Sequence, residues 1–105
     1  MTIDIDVDKE GFLKNLNDWT PEIATILSQQ EGIDLTPEHW EIIYLLRDFY
    51  LKYDIAPAMR ILVKTAKETL GDSKGNSIHL LKLFPGSPAK LASKIAGLPK
   101  PTNCL

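Results

Sequence analysis

The chain has 105 residues, fourteen acids against twelve Lys/Arg for a net charge of −2, and 44% hydrophobic residues. That bounds it to one domain with a single core and the composition of a soluble globular protein. No apolar run reaches the roughly 20 residues that span a bilayer, and the acidic start Met1-Thr2-Ile3-Asp4-Ile5-Asp6 lacks a signal-peptide core, so a cytoplasmic protein without membrane insertion is expected.

Thr2 to Asp8 alternates polar and apolar side chains, which is the period of a strand. Lys9-Glu10-Gly11 supplies a turn, and Phe12-Leu13 returns, so a small N-terminal β-hairpin is expected, packed on helices. Thr20-Pro21 then opens a helix with Thr20 as N-cap, Ile23, Ile26 and Leu27 as its buried stripe, and Gly32 as its stop. Thr36-Pro37 repeats the device for the longest helix, which runs to about Tyr53. Trp40, Ile43 and Tyr50 lie to one side of it, and Ile42, Leu45, Leu46, Phe49 and Tyr53 to another, which reads as a buried central helix and the core of the domain.

A short turn leads to a helix over 57–70, with Met59, Leu62, Val63, Ala66 and Leu70 inward and Gly71 as its stop. Arg60, Lys64 and Lys67 make a basic stripe on its outer face. A long helix, a tight turn and a basic second helix also read as a helix-turn-helix-like pair. After the loop 71–76, a short helix carries Ile78, Leu81 and Phe84 and is broken by Pro85-Gly86. Ser87-Pro88 starts a last helix with Leu91 and Ile95 inward and Lys90 and Lys94 outward, and Gly97 ends it. The expected fold is α+β and predominantly α: about five helices in one domain over 1–97, followed by a mobile C-terminal arm over 98–105.

In that arm, Pro99 and Pro101 forbid helix and bias the chain to extended geometry. Counted from Gly97, a polyproline-like arm reaches about 25 Å. It carries Cys104, the single cysteine, one residue from the end. No internal disulfide can form, which fits a reducing compartment, and the position is wrong for prenylation. Chain ends are usually silent and lone cysteines usually inert, but this thiol follows Asn103 on a proline-broken tail with no amphipathic pattern. Charge is unevenly divided along the chain. Residues 1–56 hold twelve acids and four Lys/Arg, and residues 57–105 hold two acids and eight Lys/Arg. The basic half either attracts an acidic partner or polyanion, through Arg60, Lys64, Lys67, Lys90 and Lys94, or is a set of solvated helix faces.

Several stretches carry a family resemblance. They are Asn15-Leu16-Asn17-Asp18-Trp19, Pro37-Glu38-His39-Trp40-Glu41, Leu46-Arg47-Asp48-Phe49-Tyr50, Ala56-Pro57-Ala58-Met59-Arg60, Lys74-Gly75-Asn76-Ser77, Leu83-Phe84-Pro85 and, at the end, Gly97-Leu98-Pro99-Lys100-Pro101 with Cys104. In this order, over nearly the whole chain, they resemble the DsrC/TusE sulfur-carrier family. The resemblance implies that Cys104 takes and hands on a persulfide sulfur, with Gly97, Pro99, Lys100 and Pro101 forming the delivering arm. It implies a TusBCD/DsrEFH-type donor complex and an acceptor such as a tRNA thiouridylase or dissimilatory sulfite reductase, with tRNA an indirect partner. DsrC proteins proper have a second cysteine eleven positions before the penultimate one. Here that position is Ser93, so the intramolecular disulfide chemistry is excluded and the cysteine content is TusE-like, whereas Asn15 to Trp19 and much of the middle resemble DsrC more closely.

No other chemistry is legible. His39, His79 and Cys104 have no zinc spacing, and His39 in the first turn of the long helix reads as structural. There is no phosphate loop or nucleophile elbow, and no cofactor or metal is expected. Two competing readings remain: a docking subunit whose cysteine is incidental, and a nucleic-acid binder using the helix 57–70. The latter helix has neither Asn nor Gln to read bases.

Overall fold

The computed structural model describes residues 5–101. Among them are a 3-10 turn at Leu16–Asp18 and five α-helices: α1 (Pro21–Gln30), α2 (Pro37–Tyr53), α3 (Met59–Leu70), α4 (Ser77–Leu83) and α5 (Pro88–Ile95). Helix starts follow local chemistry. Thr20 Oγ1 accepts the Ile23 N–H at 3.2 Å, and Asn76 Oδ1 accepts that of His79 at 2.9 Å. Proline occupies the first turn of α1, α2 and α5. α3 begins two residues later than the sequence suggests, because Ala56 and Pro57 are buried ahead of it and Ala58 is extended.

The expected hairpin is not formed. Among the described residues it reduces to one antiparallel bridge, Val7 with Leu13, and residues 2–4 of the expected first strand lie outside the description. Beyond the bridge the Lys14 N–H still donates to the Asp6 carbonyl at 3.0 Å, but the chain then turns at Leu16–Asp18, where Asn15 Oδ1 accepts the Asn17 N–H at 3.0 Å. At the other end the Asp8 N–H donates to the Phe12 carbonyl at 2.8 Å, Asp8 Oδ1 accepts the N–H groups of Glu10 at 2.9 Å and Phe12 at 3.0 Å, and the Asp8 carbonyl accepts that of Gly11 at 3.0 Å. The turn still drives Phe12 and Leu13 into the core, where both are buried.

The centre of the domain is α5. This eight-residue helix packs against each of the other four. Ala89, Ala92 and Ser93 are buried, as is Ala96 at its end, and side chains this small let neighbouring helices approach closely. α2, expected to be the core, is core only in its middle: Ile42, Ile43, Leu45 and Leu46 are buried, whereas Trp40 and Tyr50 are half-buried and Tyr53 is exposed. α4 likewise buries Leu80, with Phe84 at its end, and leaves Ile78 and Leu81 exposed.

The uneven charge along the sequence closes on itself. Five of the six ion pairs among the described residues join the acidic half to the basic half: Lys74–Glu41, His79–Glu38, Lys90–Glu10, Lys94–Glu31 and Lys100–Glu10. Lys74 Nζ lies 2.6 Å from Glu41 Oε1, and that hydrogen bond raises the lysine's pKa above its ordinary value. His79 Nε2 is 3.4 Å from Glu38 Oε2, an approach without hydrogen-bond geometry. No helix among the described residues is long and apolar enough to cross a membrane.

Replacing Ala92 with Leu is expected to cost about 1–3 kcal/mol by overpacking the centre, and Ile78→Ala to stay within about 0.5 kcal/mol; urea denaturation of the two variants measures the contrast. Asp8 yields a pH prediction. The Phe12 amide leads in holding its carboxyl below the ordinary 3.8, against a smaller opposing effect of burial. The resulting stability is full above about pH 4 and is lost as pH falls through the depressed folded value. Asp8→Asn should flatten that acid-side loss, and an unchanged acid limb would count against the turn's dependence on the charge.

Candidate functional site

Cys104 lies outside the described residues, so the site is the segment that leads to it. α5 ends at Ala96, and Gly97 turns the chain back with a φ of +76°. The Leu98 N–H donates to the Ser93 carbonyl at 2.9 Å, and the Gly97 N–H to that of Lys94 at 3.1 Å. This is a Schellman closure, and its apolar member Leu98 is only 2% exposed. The next two carbonyls are taken by side chains from far away in sequence. Trp19 Nε1–H donates to Ile95 O at 2.9 Å, and Arg47 Nη1 donates to Ala96 O at 2.7 Å. With Ala96 N–H on Ala92 O, every carbonyl from Ala92 to Ala96 has a donor.

The two clamping side chains also hold each other. The Arg47 guanidinium lies 4.0 Å over the Trp19 ring. Tyr44 meets Trp19 edge-on at 6.0 Å and stacks on Trp40 at 5.9 Å. Burial lowers the Arg47 pKa from its ordinary value and Tyr44 opposes that, but the guanidinium stays charged. Its positive charge complements the negative end of the α5 dipole. A Cβ on Gly97 would stand 2.4 Å from Trp19 Cδ1, so glycine is needed twice over here, for its φ and for the indole.

The arm therefore does not leave the domain at residue 98, as expected from the sequence. Leu98 is in the core, Pro101 is buried, and Lys100 Nζ lies 3.2 Å from Glu10 Oε1, with Pro99 exposed between them. A closed helix end and an apolar Leu98 outweigh the stiffness of the prolines. Glu10 also meets Lys90 at 3.7 Å through its other oxygen. Lys94 pairs with Glu31 at 2.8 Å and lies 5.5 Å over the Phe12 ring. Lys90 and Lys94 thus pair with the domain's own acids. Arg60, Lys64 and Lys67 are exposed on α3 and take part in none of the described ion pairs. A groove of about 150 Å³, lined by Leu16, Asn17, Arg47, Tyr50, Leu51 and Leu98, opens beside the root of the arm.

His39 is structural, as its place in the helix suggested. Its Nδ1 receives the Thr36 N–H at 3.0 Å, and its Nε2 lies 2.8 Å from the Leu83 carbonyl. This geometry assigns the proton to Nε2. Among the described residues no group of three or more His, Cys, Asp or Glu is placed to hold a metal ion. Ser93 is fully buried and its hydroxyl has no hydrogen-bond partner. A buried site that leaves a hydroxyl unpaired suits a small apolar side chain or a thiol better.

The sequence reading missed Trp19, Arg47 and Glu10 as parts of this site. The available signal was a lone arginine inside the apolar run Ile42-Ile43-Tyr44-Leu45-Leu46 to Phe49.

A family model described as "DsrC like protein" matches residues 2–105. The chain belongs to this family. It is 49% identical over 102 residues to the sulfurtransferase TusE of Escherichia coli (strain K12), covering 97% of this chain and 94% of that one. Among solved structures, the NMR structure of Allochromatium vinosum DsrC matches at 51% identity and a TM-score of 0.87, over 99% of this chain and 97% of that one. The crystal structure of the oxidized gamma-subunit of dissimilatory sulfite reductase (DsrC) from Archaeoglobus fulgidus matches at 43% identity and a TM-score of 0.83, over 96% and 92% of the two chains.

Gly97→Ala should destabilise the domain by more than about 1 kcal/mol, since it combines a strained φ with a steric clash. Thermal unfolding followed by tryptophan fluorescence in a Trp40→Phe background, where Trp19 is the single indole, reads both the loss and the disturbed ring. A variant as stable as the parent would show that the turn is not held as described.

Proposed function

We propose that this protein is a sulfur carrier that accepts a persulfide sulfur on Cys104 and passes it to an acceptor. The observation that carries the reading is similarity along nearly the whole chain to a protein described as a sulfurtransferase, in a sequence with one cysteine. The Cys104 thiolate attacks the outer sulfur of a donor persulfide, R–S–SH. The donor S–S bond breaks, a new S–S bond forms at Cys104, and R–S⁻ leaves. The same exchange run forwards to a second thiol unloads the carrier, and no net oxidation is needed. With Ser93 at the position where the family's two-cysteine members carry a thiol, no second thiol in this sequence discharges the persulfide internally.

The donor that fits this role is a TusBCD/DsrEFH-type complex. The acceptor is a tRNA thiouridylase, as the TusE similarity suggests, or a dissimilatory sulfite reductase, as the DsrC similarity suggests. The single cysteine favours the relay toward tRNA, because a carrier without a second thiol must pair with a partner's. The exposed stripe of Arg60, Lys64 and Lys67 remains available to an acidic partner surface, whereas Lys90 and Lys94 are already paired.

Incubation with a cysteine desulfurase, cysteine and the relay complex is expected to add one sulfur, about 32 Da, to the intact mass, reversibly by reductant. Cys104→Ser should show no gain. A gain that survives the substitution, or none with any donor, would overturn the assignment in favour of a docking subunit.

A further inference from the structure

The root of the arm is held by side chains that come from far away in sequence. A C-terminal carbonyl near the surface can be satisfied by water. Here those of Ile95 and Ala96 are instead taken by an indole and a guanidinium that reach across 76 and 49 residues. Ile95 and Ala96 are fully buried, so their carbonyls need donors from the protein, and Arg47 is half-buried to supply one. The arrangement closes the helix end and, in doing so, fixes a direction. It sets where residues 98–101 run, and Leu98, Lys100 and Pro101 then fasten that stem to the domain.

The consequence is a short tether. Measured from Gly97, Cys104 has seven residues of reach, on the order of 25 Å. Measured from a fastened Pro101 it has three, on the order of 11 Å. Confinement of this size raises the effective concentration of a thiol at one place on the surface and removes it from all others.

We infer that Trp19 and Arg47 are positioning residues for sulfur transfer: they hold the end of α5 so that the fastened stem confines Cys104 to the neighbourhood of Pro101. A partner protein must bring its sulfur to that face. A small sulfur donor, which diffuses to the thiol wherever it is, has no such requirement. The inference rests on the carrier reading above for its chemistry, and on the clamp geometry for its mechanics.

The test uses the full chain with Arg47→Met, Arg47→Lys and Trp19→Phe, each checked for fold by circular dichroism. Loading of Cys104 from the persulfidated relay complex should fall about tenfold in Arg47→Met, because misplacement of a reacting group by an ångström has that order of effect or more. Loading from sodium tetrasulfide should stay within about twofold, since a small reagent needs no positioning. Arg47→Lys, which keeps one donor for Ala96 O, should recover part of the loss. If the two loading rates fall together or both stay unchanged, the positioning role is overturned. A second measurement is independent of sulfur. A nitroxide on Cys104, paired with one on an exposed α3 site introduced by Lys64→Cys, should show a broader distance distribution in Arg47→Met and Trp19→Phe than in the parent. Equal widths would overturn the clamp. A parent chain that takes sulfur from neither source overturns the carrier reading, and the distance widths then decide alone whether Trp19 and Arg47 hold the arm.

Discussion

A helix of eight residues cannot satisfy its own ends, and this fold is arranged around that constraint. α5 closes few hydrogen bonds of its own, and its last carbonyls must be met from outside. Two backbone amides after the turn meet two of them, and Trp19 and Arg47 meet two more. The same device ends α4, where His39 takes the Leu83 carbonyl. The three side-chain donors, Trp19, Arg47 and His39, come from the first half of the chain and their acceptors from the second. Helix-end chemistry, as much as apolar burial, thus joins the two halves, and the ion pairs of Glu10, Glu31 and Glu41 join them in the reverse sense, with donors from the second half and acceptors from the first.

That arrangement explains what the sequence could and could not reveal. The helix starts were legible, because Thr-Pro and Ser-Pro pairs act within one turn. Apolar spacing located the buried sides of α1 and α3. The central position of α5 was not legible, since Ala89, Ala92, Ser93 and Ala96 give no strong apolar signal and matter for what they leave empty. The clamp was not legible either. Its acceptors are backbone carbonyls, which every residue has, so nothing at Ile95 or Ala96 announces them. The expected hairpin failed for a local reason: alternation describes where side chains point, but the chain turns at Leu16–Asp18, capped by Asn15, directly after the bridge. The uneven charge was visible, yet its meaning as internal pairing required the fold.

For function, the useful result is the division of the arm. Residues 98–101 belong to the domain, held chiefly by a buried leucine and a buried proline. An exposed pair such as Lys100–Glu10 contributes at most about 1 kcal/mol, so the apolar contacts and the closed helix end carry most of the fastening.

The place of α5 along the chain also bears on how the molecule is made. Trp19 waits 76 residues for Ile95, and Glu10 waits 90 for Lys100. Contacts this distant in sequence close late, because loop entropy is lost before they return anything. During synthesis the first four helices emerge with amphipathic faces and no common centre to bury them against. The helix that supplies that centre arrives last, together with the segment that leads to the thiol. Completion of the core and placement of the arm are therefore one event, and a chain stalled before α5 lacks both.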